Sequence, residues 1–292
     1  MNEHNTFHLA TSDEQATLPF YYRLTSLVRL PAKRGKGVRN QATLYHDDAE
    51  LTVNWTSAFV DTRLKRGCYV ALRGARRGPK DGGLNIDRLE RIDKPLAALN
   101  PFQTVPTTWF SDRDAIQRAI QLWERLDRPL QHLFNAVMWD GGRFLRFLTG
   151  PATTADYPWI PGQNLRHTVQ VAERAIGLTK GTARTSVPIV IAAAFFHDAG
   201  KADDFRIADR GYVLSERGEW IGHQHTILEW LAVARAQVIV PERTYIQLIH
   251  ALIAFRGSAA NQRSLEAMIL STANRLDEEA RSQLITSALR HN

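Results

Sequence analysis

From Phe20 to Ile92 apolar and polar positions alternate over short runs: Tyr22-Arg-Leu-Thr-Ser-Leu-Val28, Ala42-Thr-Leu-Tyr45, Leu51-Thr-Val-Asn-Trp55, Gly67-Cys-Tyr-Val-Ala-Leu72 and Leu84-Asn-Ile-Asp-Arg-Leu89. A period of two rich in β-branched and aromatic residues predicts strands, and the Gly- and Lys-rich stretches between them, such as 78–83, predict turns. After residue 111 the period lengthens. Ile116, Ile120, Leu122 and Trp123 recur at helical spacing, and 130–138, 143–148, 165–178 and 187–196 follow as amphipathic or wholly apolar segments. Ser111 with Asp114 predicts a helix N-cap, and Pro129 fits the first position of the next helix. Between the two regions, Pro95, Pro101 and Pro106 predict an extended linker. The pattern predicts an α+β, two-domain chain: a disordered tail over 1–17, a strand-rich domain over 18–94, a linker over 95–110 and a helical domain over 111–292. No internal repeat interrupts this layout.

About five strands in some seventy residues predict a small barrel of the OB type, an architecture that binds single strands. Charge supports that reading. The whole chain carries +7, and between Arg23 and Arg91 there are 15 basic residues against 7 acidic ones, so the excess sits in the strand-rich half. Lys33, Arg34, Lys36, Arg39, Arg76, Arg77 and Lys80 concentrate in two loops, and Tyr45 and Trp55 offer rings that would stack on bases if they face outward or fill the barrel if they do not. Single-stranded nucleic acid is the expected partner. No apolar run approaches the ~20 residues needed to span a bilayer, and the polar N-terminus lacks a secretory pattern. Both point to a cytoplasmic protein. The lone Cys68 forms no internal disulfide and reads as filler.

The chemistry-bearing feature is Phe195-Phe-His197-Asp198-Ala-Gly-Lys201, a polar pair at the end of an apolar run. An imidazole and a carboxylate are costly to bury unless something pairs with them, and a divalent cation is a suitable partner. His167, His223 and His250 each lie in another helical run. Imidazoles from four helices with one carboxylate suit Mn, Fe, Ni or Zn. His225, two residues from His223, points elsewhere on its helix, and no Gly-rich phosphate loop is present.

Histidine, then His-Asp, then histidine in a helical domain resembles the HD phosphohydrolase superfamily. Leu148-Thr-Gly-Pro-Ala152, Tyr157-Pro158, Gly162-Gln-Asn-Leu-Arg-His167, His197-Asp-Ala-Gly-Lys201 and Gly218-Glu-Trp-Ile-Gly-His223 are similar to the bacterial YhaM-type 3′-to-5′ exoribonucleases, which join an OB-fold to a C-terminal HD domain. The resemblance covers 20–281. It implies His167, His197, Asp198 and His223 as metal ligands, Asp198 and Lys201 as catalytic residues, Mn as the first expectation with Fe, Ni, Zn or Mg as others, RNA as the favoured substrate and a homo-oligomer as the assembly. The sequence departs from the pattern twice. Ala254-Phe255-Arg256-Gly257 stands where histidines are expected, leaving Arg256 as a phosphate contact, and Asn274 falls at the closing aspartate's ligand position, with Asp277 three residues on. These departures support a second reading, a nucleic-acid-binding or regulatory protein with an impaired metal site.

Overall fold

A computed structural model of the chain describes residues 7–8, 17–31, 37–77, 83–139, 142–152, 162–182, 184–209 and 211–290. The chain divides into two compact units. One contains 1–95 and 101–111, the other 96–100 and 112–292.

The first unit is built on one mixed sheet. Strands β1 (Phe7–His8) and β2 (Thr17–Leu18) form a separate antiparallel pair, so part of the expected tail takes regular structure. The main strands are β3 (Tyr22–Pro31), β4 (Val38–His46), β5 (Ala49–Ser57), β6 (Tyr69–Arg73), β7 (Arg76–Arg77), β8 (Leu84–Asn85) and β9 (Arg88–Arg91), in the order β7-β8-β5-β4-β3-β6-β9. Strands β4 and β5 are joined by a two-residue turn in which Asp47 and Asp48 have φ of 49° and 62°. That twist matches a hairpin, and aspartate tolerates the left-handed region better than most residues.

The segment 84–91 curls the sheet back on itself. Leu84 and Asn85 pair with Val53 and Asn54 of β5, while Arg88 to Arg91 pair with Val70 to Arg73 of β6. The period of two then decides what is inside: Leu24, Ala42, Leu44, Val53, Val70, Leu72, Ile86 and Leu89 form a buried core. His46 is the last residue of β4, its ring edge-on to Tyr21 and Tyr22.

The expected extended linker is folded. Leu99, Phe102, Val105 and Phe110 are buried, and Pro101–Thr104 forms a 3-10 turn whose Gln103 carbonyl accepts from Asp47 N at 2.7 Å. Its apolar residues, interleaved with the prolines, have a core to enter, and burial of that size outweighs the extended bias of the residues before proline.

The second unit is mainly helical. Its helices are α1 (Arg113–Glu124), α2 (Arg128–Met138), α3 (Arg143–Thr149), α4 (Gln163–Thr179), α5 (Val187–Phe196), α6 (Lys201–Asp204), α7 (Glu216–Trp220), α8 (His223–Arg235), α9 (Glu242–Ala254) and α10 (Leu265–Arg290). Asp112 rather than Ser111 caps α1, accepting from Ala115 N at 3.1 Å, and Asp127 caps α2 ahead of Pro129. The unit is not all helix: β10 (Phe205–Ala208) and β11 (Gly211–Leu214) form a hairpin, because both runs alternate and Gly211 allows the return. Helix α5 is apolar on every side and is the hub, with α2, α4, α9 and α10 packed around it. Phe195 and Phe196 are fully buried against Phe134, each such side chain contributing about 1.5–3 kcal/mol. Among the described residues no helix is long and apolar enough to cross a membrane.

Candidate metal centre

The apolar hub ends at the His-Asp pair. His197 caps α5, and the turn 197–200 leads directly into α6. Gly200 lies so close to the start of α8 that a Cβ there would meet the His223 carbonyl at 2.2 Å. Only a residue without a side chain lets α8 bring His223 up to Asp198.

The donor atoms of His167, His197 and Asp198 all lie within 4.8 Å of one another, and all three residues are buried. Asp198, 2 % exposed, is the centre of the arrangement. Its Oδ2 is 3.4 Å from His167 Nε2 and 3.5 Å from His197 Nε2, and its Oδ1 is 3.4 Å from His223 Nε2.

Each imidazole is turned by a partner on its other nitrogen. His167 Nδ1 donates to Asp277 Oδ2 at 2.7 Å, His197 Nδ1 to the Ala194 carbonyl at 2.7 Å, and His223 Nδ1 to Asp204 Oδ2 at 3.0 Å. These partners only accept, so each Nδ1 carries the hydrogen and each neutral ring has a lone pair on Nε2. The three lone pairs point toward Asp198. His167 and His197 face each other Nε2 to Nε2 at 3.2 Å, and His223 Nε2 is buried without a hydrogen-bond partner among the described residues. Facing lone pairs repel, and a cation between them removes the repulsion. His167, His197 and Asp198 form a group that could hold a metal ion, and His223 stands 3.4 Å from Asp198, outside that group.

Electrostatics favour the ligating forms. Burial pushes His197 down to about 4, against the pull of the Asp198 carboxylate. Burial would raise the Asp198 carboxyl, but the Lys201 charge, first, and the imidazoles beside it outweigh that and hold it well below the usual carboxylate range. A consequence follows for the metal-free protein. The unfolded chain takes up a proton on His197 near its ordinary value of about 6.5, whereas the folded chain does so only near 4. Stability from this group is therefore complete above the unfolded value and declines as pH falls through the window between the two. The urea midpoint of chelator-treated protein should drop between pH 7 and pH 4.5, and His197→Gln should flatten that slope. An unchanged slope in the variant would sink the assignment.

Two cations share Asp198. Lys201 Nζ donates to Asp198 Oδ2 and to the Ala152 carbonyl, and Arg256 Nη2 donates to Asp198 Oδ1 at 2.9 Å while remaining 38 % side-chain exposed. Arg256 is thus at the centre. Phe255 packs its ring 5.8 Å from that of His197.

The closing position differs from the expectation. Asn274 donates to Glu278 one turn on at 3.0 Å, whereas Asp277 meets His167 and also takes Arg174. On α10 the inward stripe runs Leu270, Ala273, Asp277, at i, i+3 and i+7, which leaves Asn274 on its flank. His250 Nε2 is buried without a hydrogen-bond partner among the described residues, but His250 is not in the group that lies within 4.8 Å. Asp204, which orients His223, was not expected; its only signal was a carboxylate six residues after Asp198 in the same turn-and-helix segment.

In the strand unit, Tyr45 is 3 % exposed with its hydroxyl on Asp48, so its ring has no face for a base. Trp55 is mostly buried but borders a cleft of about 440 Å³ with Arg39, Asn40 and Asn54. Arg76 is exposed, 3.5 Å from Asp87. Lys33, Arg34, Lys36 and Lys80 lie outside the described residues, as do Tyr157 and Pro158, and only the backbone of Arg77 is described.

Neither the models of known protein families nor the curated proteins give a match to this chain.

Proposed function

We propose that the helical unit is an HD-type, metal-dependent phosphodiesterase and that the strand unit is an OB-like module presenting single-stranded nucleic acid, so that the chain is a nuclease, in first place a 3′-to-5′ exoribonuclease. The observation that carries this reading is the set of three imidazoles, each with Nδ1 held by an acceptor and Nε2 directed at Asp198. His167, His197, Asp198 and His223 would hold the ion. A divalent ion there supplies Lewis acidity and a lowered pKa for water near neutral pH.

The chain's own residues do the rest. Asp277, Ala194 and Asp204 keep the three rings in the ligating tautomer. Lys201 and Arg256, anchored by Asp198, stand ready to neutralise charge on phosphate oxygens as it grows in the transition state. The basic excess of the strand unit would hold the phosphate backbone, and Trp55 and Arg39 at the cleft are its best-placed contacts.

A second reading rests on a specific contact: Lys201 and Arg256 already occupy both Asp198 oxygens, which is how a site that has exchanged its ion for two side-chain cations would look. In that case the protein binds strands without cutting them. Metal content of the purified protein, measured together with degradation of end-labelled single-stranded RNA and DNA with and without Mn²⁺, separates the two. The nuclease reading expects bound metal and shortening from the 3′ end that vanishes in the His197→Ala, Asp198→Ala double variant. Salt-sensitive binding with no metal and no cleavage would replace it with the second.

A further inference from the structure

The sheet of the strand unit sets three carboxamides side by side. Across β3, β4, β5 and β8, Val28 lies opposite Gln41, Gln41 opposite Asn54, and Asn54 opposite Asn85. Directly opposed residues share a face of the sheet, and this face is turned from the core: Gln41 and Asn85 are exposed and Asn54 is half-buried, whereas their chain neighbours Ala42, Val53 and Leu84 are buried. Leu30, Arg39 and Thr56 form the adjacent row.

Both rows line the cleft of about 440 Å³ that Trp55 borders. Among the described residues no carboxylate lines it, in contrast to the neighbouring cleft of about 370 Å³, where Asp61, Asp87 and Glu90 stand among the arginines. One positive charge is present, that of Arg39, whose Nε is buried without a hydrogen-bond partner among the described residues. Val28 and Leu30 leave apolar surface open at 47 % and 49 % exposure. Such a wall suits a flat, uncharged group with hydrogen-bonding edges. A carboxamide holds an acceptor and a donor side by side, the complement of the amino group and ring nitrogen of adenine. Neighbouring strands lie about 4.8 Å apart, so more than one of the three amides reaches the edge of a single base. Amides add no charge, and a surface that gripped only the phosphate backbone would gain little from three of them.

We infer that this cleft reads an unpaired base, adenine ahead of the others, in a strand whose phosphate Arg39 holds. The inference rests on the reading of the strand unit as a single-strand module and gives that module a sequence preference. It makes no use of the metal centre.

The test measures binding of short end-labelled strands to full-length, chelator-treated protein by fluorescence anisotropy. Three strands are compared: a run of uridine, the same run with adenosines at its centre, and the same run with abasic residues there. The adenosine strand is expected to bind about tenfold more tightly than either of the others, the discrimination of one good amide-to-base pair. Gln41→Ala, Asn54→Ala and Asn85→Ala should each shrink that ratio, and Gln41 and Asn85, being exposed, decide the matter if the Asn54 variant fails to fold. Arg39→Gln should instead weaken all three strands alike and lower the salt dependence. A ratio of affinities is a readout that a purely structural role would leave unmoved. The same strands made as DNA identify the source of the base: an equal preference means that the base alone is read, and a preference confined to RNA adds its 2′-hydroxyl to the contact, and either supports the site. Strand binding that is blind to the base overturns this inference and leaves the single-strand module standing, as does a preference that survives all three amide variants undiminished. Failure to bind any strand overturns both.

Discussion

Asp198→Asn is expected to leave a folded protein that retains no metal and cleaves no phosphodiester. The substitution keeps the shape of the side chain and removes its charge, so it separates the two roles that the carboxylate plays. In its proposed role as a ligand, Asp198 is, among the described residues, the anion whose oxygens lie beside all three Nε2 atoms. Losing it should cost more than the ~10–100-fold in metal affinity that follows loss of an outer partner of a ligand. As an anchor, it holds Lys201 and Arg256. With both gone, the stabilisation of charge on a transferring phosphoryl group, several kcal/mol, is lost, and cleavage should fall by on the order of 10³ or more. Stability should also drop, by about 2–3 kcal/mol, less than the ~3–5 kcal/mol of a fully buried pair because solvent screens the partly exposed Arg256. Elemental analysis, single-turnover cleavage and a urea midpoint read the three effects. A variant that keeps its ion and the wild-type rate would remove Asp198 from the centre.

The second large effect distinguishes Asp277 from Asn274. Asp277→Ala should weaken metal binding by about 10–100-fold, because His167 loses the acceptor that fixes its tautomer and aims its Nε2. It also leaves Arg174 without the carboxylate it now pairs with. Asp277→Asn restores an acceptor without the charge and should recover part of the affinity, which a purely structural role would not predict. Asn274→Ala should leave metal binding within about twofold of wild type, as expected of a polar side chain away from such a site, since its amide is spent on Glu278. Metal titration against a competing chelator measures all three. A loss in Asn274→Ala larger than that in Asp277→Ala would return the closing position to Asn274.

The main strands and the longer helices were legible because each had a face to bury, whereas α7 buries none of its residues and the β10–β11 hairpin was not foreseen. In β4 the inward positions Asn40, Ala42 and Leu44 alternate with outward ones, and α5 is apolar all round because neighbours pack on every side. The His-Asp pair was legible for the same reason: two ionisable groups at the end of such a helix need a partner. Orientation was not. Whether 274 or 277 faces His167 depends on the rotation of α10 by a fraction of a turn, and a chain of letters does not carry that angle. The folded segment around Phe102 was missed because proline reports its local preference, while the burial of Phe102 and Val105 is a tertiary effect. Tyr45 and Trp55 show the same limit, since alternation tells that a ring lies on one face of a strand but not which face is the core. Arg256 could not have been placed at Asp198, 58 residues earlier, by any local rule.

The hydrogen bond between His167 and Asp277 joins residues 110 apart in the chain, and the contact of His167 with His197 spans 30. An ion held at this point therefore acts as a clasp on the chain's topology, closing long loops whose entropic cost grows only slowly with length. Occupancy would stabilise the native state by mass action, without affecting an unfolded chain in which those residues are scattered. Without an ion, the unit would keep its apolar hub, and α10 its buried Ala267, Leu270 and Ala273, but α4 and the turn after α5 would lose that tie.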